Sequence, residues 1–360
     1  MTERRTVGII YNSYHEKHYS DSTSPENPER ISRIIRYLQG RTDIFQNGCE
    51  LLTDFKKATV EDLLRVHDKE YIKFVREYSL RGGGFVGDST YINEYTYECA
   101  LIAAGGAIFA GELFMNKKVD IPFLLARPPG HHASKSKFGG YCIFNNAVIL
   151  ARYLQEKYNI KKIMIIDYDV HAANGTMEIT YDDPTIFLIS VHRSPIDFYP
   201  QDGFAYQIGC GYGRGYNVNV EMPQGSSDAE YMYVLHKVIE PLYNQYKPEI
   251  IICCVGFDAH YSESGTGMLI TTKGYYEFTK ALLKIPGENN AIMLFEGGYN
   301  QNNPQIAHAV LHAMMNLPYP EIKEQFDVLS TSVTREKATA KLLKDNLEKL
   351  REYLLDYFKI

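Results

Sequence analysis

Short apolar runs closed by glycine, proline or an acid recur along the chain at residues 7–11, 122–126, 163–166, 186–191, 250–255 and 291–295. Each has the length and the β-branched or aromatic content of a buried strand. Between most of them lie longer stretches whose apolar positions return every three or four residues, as at 147–158, 229–246 and 273–283, the period of a helix with one buried face. Continuously apolar strands alternating with such helices predict an α/β fold, a central parallel sheet with helices on both faces. In that architecture ligands bind beyond the carboxyl ends of the strands.

Two more helices are legible. Asn27 precedes Pro28, Glu29 and a stripe of Ile31, Ile34, Ile35 and Leu38, which reads as an N-cap followed by proline in the first turn. Leu343, Leu347, Leu350, Leu354 and Phe358 form a second stripe. It is too short for a coiled coil, so a helix at about 333–358 is expected to pack on its own domain. With no repeat and no Pro/Ser/Gly-rich linker in its 360 residues, the chain is expected to form one domain over 1–360.

Composition narrows the class. A content of 45% hydrophobic and 23% charged residues supports a large core. No window approaches 18 consecutive apolar residues, and the apolar stretch after Thr2-Glu3-Arg4-Arg5 is too short for a signal peptide. A soluble, cytoplasmic protein without a membrane partner is expected. Cys49, Cys99, Cys142, Cys210, Cys253 and Cys254 show no Cys-x-x-Cys spacing; they read as free thiols of a reducing compartment, Cys253 and Cys254 as buried ones. A net charge of −6 argues against direct nucleic-acid binding through a large basic face and favours cationic substrates.

The chemistry falls where the sheet rule places it. Asp167, Asp169 and His171 follow the run at 163–166, with Asn174 three places on. In an extended segment alternate side chains share a face, so the three are expected to converge as half of a metal site. Asp and His together suit zinc better than calcium or magnesium. Arg-Pro-Pro-Gly-His-His-Ala (127–133), Gly-Phe-Asp-Ala-His (256–260) and Glu-Gly-Gly-Tyr (296–299) close three other apolar runs. Four loops bearing metal-binding or proton-transferring side chains at four strand ends mark a reactive centre.

These loops, with PENPER (25–30), RVHDKEY (65–71), FGGYCIFNN (138–146), DYDVHAANGT (167–176), GYNVNV (215–220) and EGGYN (296–300) in that order, resemble the zinc-dependent histone deacetylase family, including its class II-like bacterial deacetylases and acetylpolyamine amidohydrolases. The resemblance runs from Tyr11 to Asn316. It implies the arginase/deacetylase fold and one catalytic zinc on Asp169, His171 and Asp258. It also implies His132 as general base and then acid, with Asn174 as its partner, His131 as its charge-supporting neighbour, with Asp167 as its partner, and Tyr299 as the hydroxyl that polarises the scissile carbonyl. Gly140, Tyr141 and Tyr199 would form a tunnel for an alkyl chain, with Gly297 and Gly298 shaping the turn before Tyr299 and Gly298 beside the substrate. A potassium ion would rest on Asp167, Asp169, Ser190 and the carbonyls of His171 and Val191.

Some positions depart from the family pattern. Glu263, Ser264 and Gly265 stand where a large gatekeeper is usual at the tunnel mouth, and Ala172-Ala173 replaces a common His-Gly. Asp88 reads either as a rim acid that grips substrate amides or as a turn residue. His192 and His260 are candidates for the rim.

The leading expectation is a zinc deacetylase acting on acetyl-lysine side chains in proteins or peptides. An acetylpolyamine amidohydrolase is the alternative, favoured by tyrosine at 141. Its restricted entrance would come from dimerisation, but residues 14–25 look short for an occluding loop, and a homo-oligomer stays open. A non-catalytic acetyl-lysine scaffold and a binuclear manganese hydrolase of the arginase type are the other classes; iron(II) or cobalt(II) would also suit the ligands.

Overall fold

The computed structural model describes residues 4–19, 24–285, 291–324 and 333–360. Its strands are β1 (Val7–Ile10), β2 (Cys49–Leu52), β3 (Gly84–Gly87), β4 (Thr90–Ile92), β5 (Ile121–Leu124), β6 (Ile163–Asp167), β7 (Ile186–Arg193), β8 (Asn217–Met222), β9 (Ile250–Val255) and β10 (Ala291–Phe295). Eight of them form one sheet in the order β2-β1-β5-β10-β9-β6-β7-β8, with every neighbouring pair parallel. β3 and β4 pair separately as an antiparallel hairpin.

The apolar runs are continuous because both faces of the sheet are covered. Successive residues of a strand enter opposite cores: Ile251, Cys253 and Val255 on one side, Ile250, Ile252 and Cys254 on the other. Cys253 and Cys254 are thus buried free thiols on opposite faces. Helices Thr96–Met115 and Asn146–Tyr158 cover one face, and helices that include Glu29–Gln39, Thr272–Leu282 and Asn303–Met314 the other. Thr96–Met115 is long and apolar enough to cross a membrane, but 67% of its most apolar stretch is buried inside the molecule.

Three expectations change in detail. The stretch at 229–246 is Asp228–Val234, a single π-turn at Leu235–Ile239, then Glu240–Tyr246. Pro241 lacks the N–H that an unbroken α-ladder would give to residue 237, and the ladder widens just before it. Asn27 does not cap its helix: Pro28 holds the N-cap position, and the Asn27 amide turns back to the carbonyls of Ser24 and Pro25. The last helix ends at Leu354. Its leucines at 343, 347, 350 and 354 enter the core, and Phe358 lies past the end, edge-on to Phe187 and Tyr216.

Candidate active site

The loops picked out in the sequence follow β5, β10, β9 and β6, which are neighbours in the sheet. Parallel strands aim all four loops at one end, so residues up to 170 positions apart meet without further chain reversal. They enclose a cavity of about 200 Å³ lined by Ser89, Pro129, His131, His132, Gly140, Tyr141, Asp169, His171, Tyr199, Gly297 and Tyr299.

Asp169, His171 and Asp258 bring three donor groups within 4.8 Å of one another at its floor. The His171 Nδ1 lies 3.0 Å from Asp169 Oδ1 and 3.2 Å from Asp258 Oδ2. Asp169 and Asp258 are fully buried. Their other oxygens accept backbone N–H groups, Gly297 to Asp169 Oδ2 at 2.7 Å and Val170 to Asp258 Oδ1 at 2.9 Å. Burial and the nearby Asp169 push the Asp258 carboxyl above its usual range. Two carboxylates and an imidazole buried at one point need a cation to neutralise them, and this donor set fits zinc. Gly297 is required for that approach: a Cβ there would come within 2.2 Å of Asp258 Oδ2 and 2.4 Å of Asp169 Oδ2.

Asp167 does not join this cluster as the strand-alternation argument expected. β6 ends at Asp167, so Asp169 and His171 sit in the loop beyond it, and the Asp167 Oδ2 faces His131 Nδ1 at 3.1 Å. Asp167 Oδ1 accepts the Asp169 N–H at 3.0 Å.

The tandem histidines meet different partners. His132 Nδ1 is 2.7 Å from Asn174 Oδ1; an amide oxygen only accepts, so the proton is on Nδ1 and Nε2 carries a lone pair. Burial would lower His131, but Asp169 and Asp167 outweigh it and push it up to about 10. Burial holds His132 well below the usual histidine range, reinforced by His131 and His171. The surroundings thus favour the protonated form of one ring and the neutral form of its neighbour, 4.0 Å away between centroids.

Tyr141 and Tyr199 both line the wall, Tyr199 edge-on to His132 at 5.0 Å and Tyr141 5.6 Å from the Tyr299 ring. Burial pushes the Tyr299 hydroxyl well above the usual phenol range, so it remains a donor. Gly140, at φ 49°, brings its Cα over His132; a Cβ would lie 2.2 Å from the ring. At the rim, Asp88 is both turn residue and wall: it lies at φ 48° between β3 and β4, and its Oδ2 accepts the Tyr199 hydroxyl at 2.9 Å.

Gly298 does not line the cavity, contrary to the expected substrate contact. At φ 114° it turns its carbonyl away to Arg30 Nε and Asn303 Nδ2, both at 2.7 Å; Gly297 lines the wall instead. His192 and His260 are also displaced from the rim. His192 is buried between Ser190 Oγ and the Gly203 carbonyl, and His260 between Ser262 Oγ and Glu324. Glu263 points inward, accepting the Tyr299 N–H at 2.8 Å and the Asn300 amide at 3.0 Å. None of residues 263 to 265 lines the cavity. Ser190 pairs in register with Asp167, and its Oγ accepts the Ala173 N–H at 3.2 Å. Ala172-Ala173 is buried ahead of the helix Asn174–Thr180. Of residues 14–25, positions 20–23 lie outside the described residues.

Some supporting groups escaped the sequence reading. Glu26 is buried between Arg127 Nε at 2.6 Å and Arg30 Nη1 at 2.5 Å. Burial would raise its carboxyl, but the two guanidiniums hold it below the usual range. Arg30 also bonds the Gly298 and Glu296 carbonyls and lies over the Tyr299 ring. Glu296 accepts the N–H groups of Gly130 and His131, and burial pushes it up to about 7. The only sequence signal for these residues was membership of PENPER, RPPG and EGGY, without a partner assignment.

With this geometry in place, the comparisons agree among themselves. A Histone deacetylase domain model matches residues 24–315. A probable deacetylase of Archaeoglobus fulgidus is 33% identical over 98% of this chain and 99% of its own. Histone deacetylase HDA1 of Saccharomyces cerevisiae is 34% identical over 81% of this chain but only 44% of its own length. The crystal structure of the HDA15 HD domain superposes with a TM-score of 0.84 at 28% identity, covering 98% of this chain and 97% of that one. The fold is the arginase/deacetylase fold, and the chain belongs to the histone deacetylase family.

Proposed function

We propose that the protein is a zinc-dependent deacetylase that hydrolyses the N-acetyl amide of acetyl-lysine side chains in proteins or peptides. The observation that carries this reading is the Asp169/His171/Asp258 cluster, of which Asp169 and His171 line the same cavity as His131, His132 and Tyr299.

Asp169, His171 and Asp258 would hold the metal; bound there, zinc supplies a Lewis acid for the acyl oxygen and for water. His132 Nε2, with Nδ1–H held by Asn174, is poised to take a proton from the attacking water and return it to the departing amine. His131, hydrogen-bonded to Asp167, is placed to support negative charge forming beside it. The Tyr299 hydroxyl donates to the developing oxyanion, its backbone fixed by Glu263 and its ring by Arg30. Tyr141 and Tyr199 flank the methylene stem, and the Gly140 carbonyl is available for the substrate N–H. A potassium ion on Asp167, Asp169, Ser190 and the His171 and Val191 carbonyls belongs to the same proposal; the Asp167–Ser190 register supports it.

The polyamine reading keeps one argument: the exposed Asp88 carboxylate at the rim suits a substrate with a second ammonium group. Comparing kcat/KM of the zinc-loaded protein for an acetyl-lysine peptide with acetylputrescine and acetylspermidine decides between them. A preference of about tenfold or more for the peptide, some 1.4 kcal/mol in transition-state binding, is expected. The reverse preference would make the protein a polyamine enzyme, and turnover of neither would return the scaffold reading.

A further inference from the structure

A second cluster of metal-binding side chains lies outside the cavity. Asp43 belongs to the short helix Thr42–Phe45, just before β2, and His308 and His312 stand one turn apart on the helix Asn303–Met314. Both Nε2 atoms converge on the same carboxylate oxygen, Asp43 Oδ2, at 2.7 Å from His308 and 3.0 Å from His312. The histidines are nearly buried, with side-chain exposures of 4% and 9%, and Asp43 is 43% exposed.

The hydrogen bonds around the rings fix which ring nitrogens face the carboxylate, with Arg41 close enough to act on His308. His312 Nδ1 lies 2.7 Å from the Pro318 carbonyl, which only accepts, so Nδ1 carries the proton. In a neutral ring Nε2 then presents a lone pair to an anionic oxygen 3.0 Å away. His308 Nδ1 is buried without a partner, so that ring is not fully satisfied by the protein either. A metal ion between the three groups resolves the conflict. Histidines at i and i+4 on a helix with a carboxylate are a zinc-type donor set, and a backbone carbonyl on the far N–H is the usual support of a metal-bound imidazole.

We propose that Asp43, His308 and His312 hold a second divalent transition-metal ion, zinc by donor type, that clips residue 43 to the helix carrying 308 and 312. Ligand-atom separations of 2.7 and 3.0 Å match the 3.0 and 3.2 Å of the catalytic cluster. The clip joins positions 265 and 269 residues apart. A crosslink of that span restricts the unfolded chain far more than the folded one. This site is independent of the deacetylase reading, and its test does not use turnover as its main readout.

Metal analysis decides it: the wild type, Asp258→Ala and the double variant His308→Gln/His312→Gln are equilibrated with zinc and freed of excess. The expected contents are two, one and one per chain. Cobalt(II) loaded into Asp258→Ala should give the visible absorption of a nitrogen- and oxygen-bound ion, and chelator should lower that variant's melting temperature. The double variant should keep kcat/KM within about twofold. No zinc in Asp258→Ala, or equal contents in the wild type and the double variant, would each overturn the proposal. Because the Asp258→Ala content answers it without touching the second cluster, a double variant that fails to fold does not rescue a negative result.

Discussion

The two clusters of metal-binding side chains share donor types and separations, yet only one sits in a setting that can do chemistry. Around Asp169, His171 and Asp258, backbone N–H groups hold the carboxylates, glycine at 297 lets a loop close over them, and the cavity brings in His131, His132 and Tyr299. Around Asp43, His308 and His312 the neighbours include the Pro318 carbonyl, the Tyr37 ring and the Arg41 guanidinium. The donor set fits a cation in both places; the histidines and the tyrosine beside the first are what the second lacks. The first cluster lies at the carboxyl ends of central strands, where loops from four strands converge, and the second joins two helices outside that convergence.

Perturbing the two clusters in parallel should separate them sharply. Asp258→Ala removes a carboxylate from the Asp169/His171/Asp258 cluster and is expected to lower kcat/KM by about a thousandfold or more, since a metal held there would supply both electrophile and activated water. Turnover near wild type in that variant would move the reactive centre elsewhere. Tyr299→Phe keeps the ring over Arg30 and removes only the hydroxyl, with an expected loss of on the order of a hundredfold, mostly in kcat. An unchanged kcat would remove Tyr299 from the oxyanion role.

The two histidines of the cavity give a smaller and more specific effect. Burial keeps His132 below the usual range, so its basic form persists as pH falls through about 6.5. The acidic limb of kcat/KM is therefore expected below that value. Asn174→Asp puts a carboxylate at Nδ1, favours the protonated ring and moves that limb upward by about one pH unit, with about tenfold lower kcat/KM on its acidic side. A limb that stays in place would show that His132 is not the base. Smallest of all, His308→Gln/His312→Gln should change kcat/KM by no more than about twofold while removing one metal ion.

How far the sequence revealed this arrangement follows from how local each feature is. Central strands such as β9 and β10 were legible because burial on both faces leaves an unbroken apolar run. β8 was not, because its run Asn217–Met222 alternates asparagine with valine, Asn217 and Asn219 both donating to the Gln207 carbonyl. The edge strand β2 is half exposed and carries only four residues. His131-His132, Asp169 with His171, and Tyr299 each belong to a compact loop, and they do line the cavity. Gly298 was expected beside the substrate from the resemblance; of the two adjacent glycines it is Gly297 that lines the cavity. The Glu26 link to Arg127 spans 101 residues and the Asp43 link to His308 spans 265; nothing in either local sequence names the partner.

The most direct test of the account is acetate release from an acetyl-lysine peptide by three zinc-loaded proteins: wild type, His308→Gln/His312→Gln and Asp258→Ala. The account predicts comparable rates for the first two, within about twofold, and a rate about a thousandfold lower or less for the third. No acetate from the wild type, or equal rates from wild type and Asp258→Ala, would contradict it.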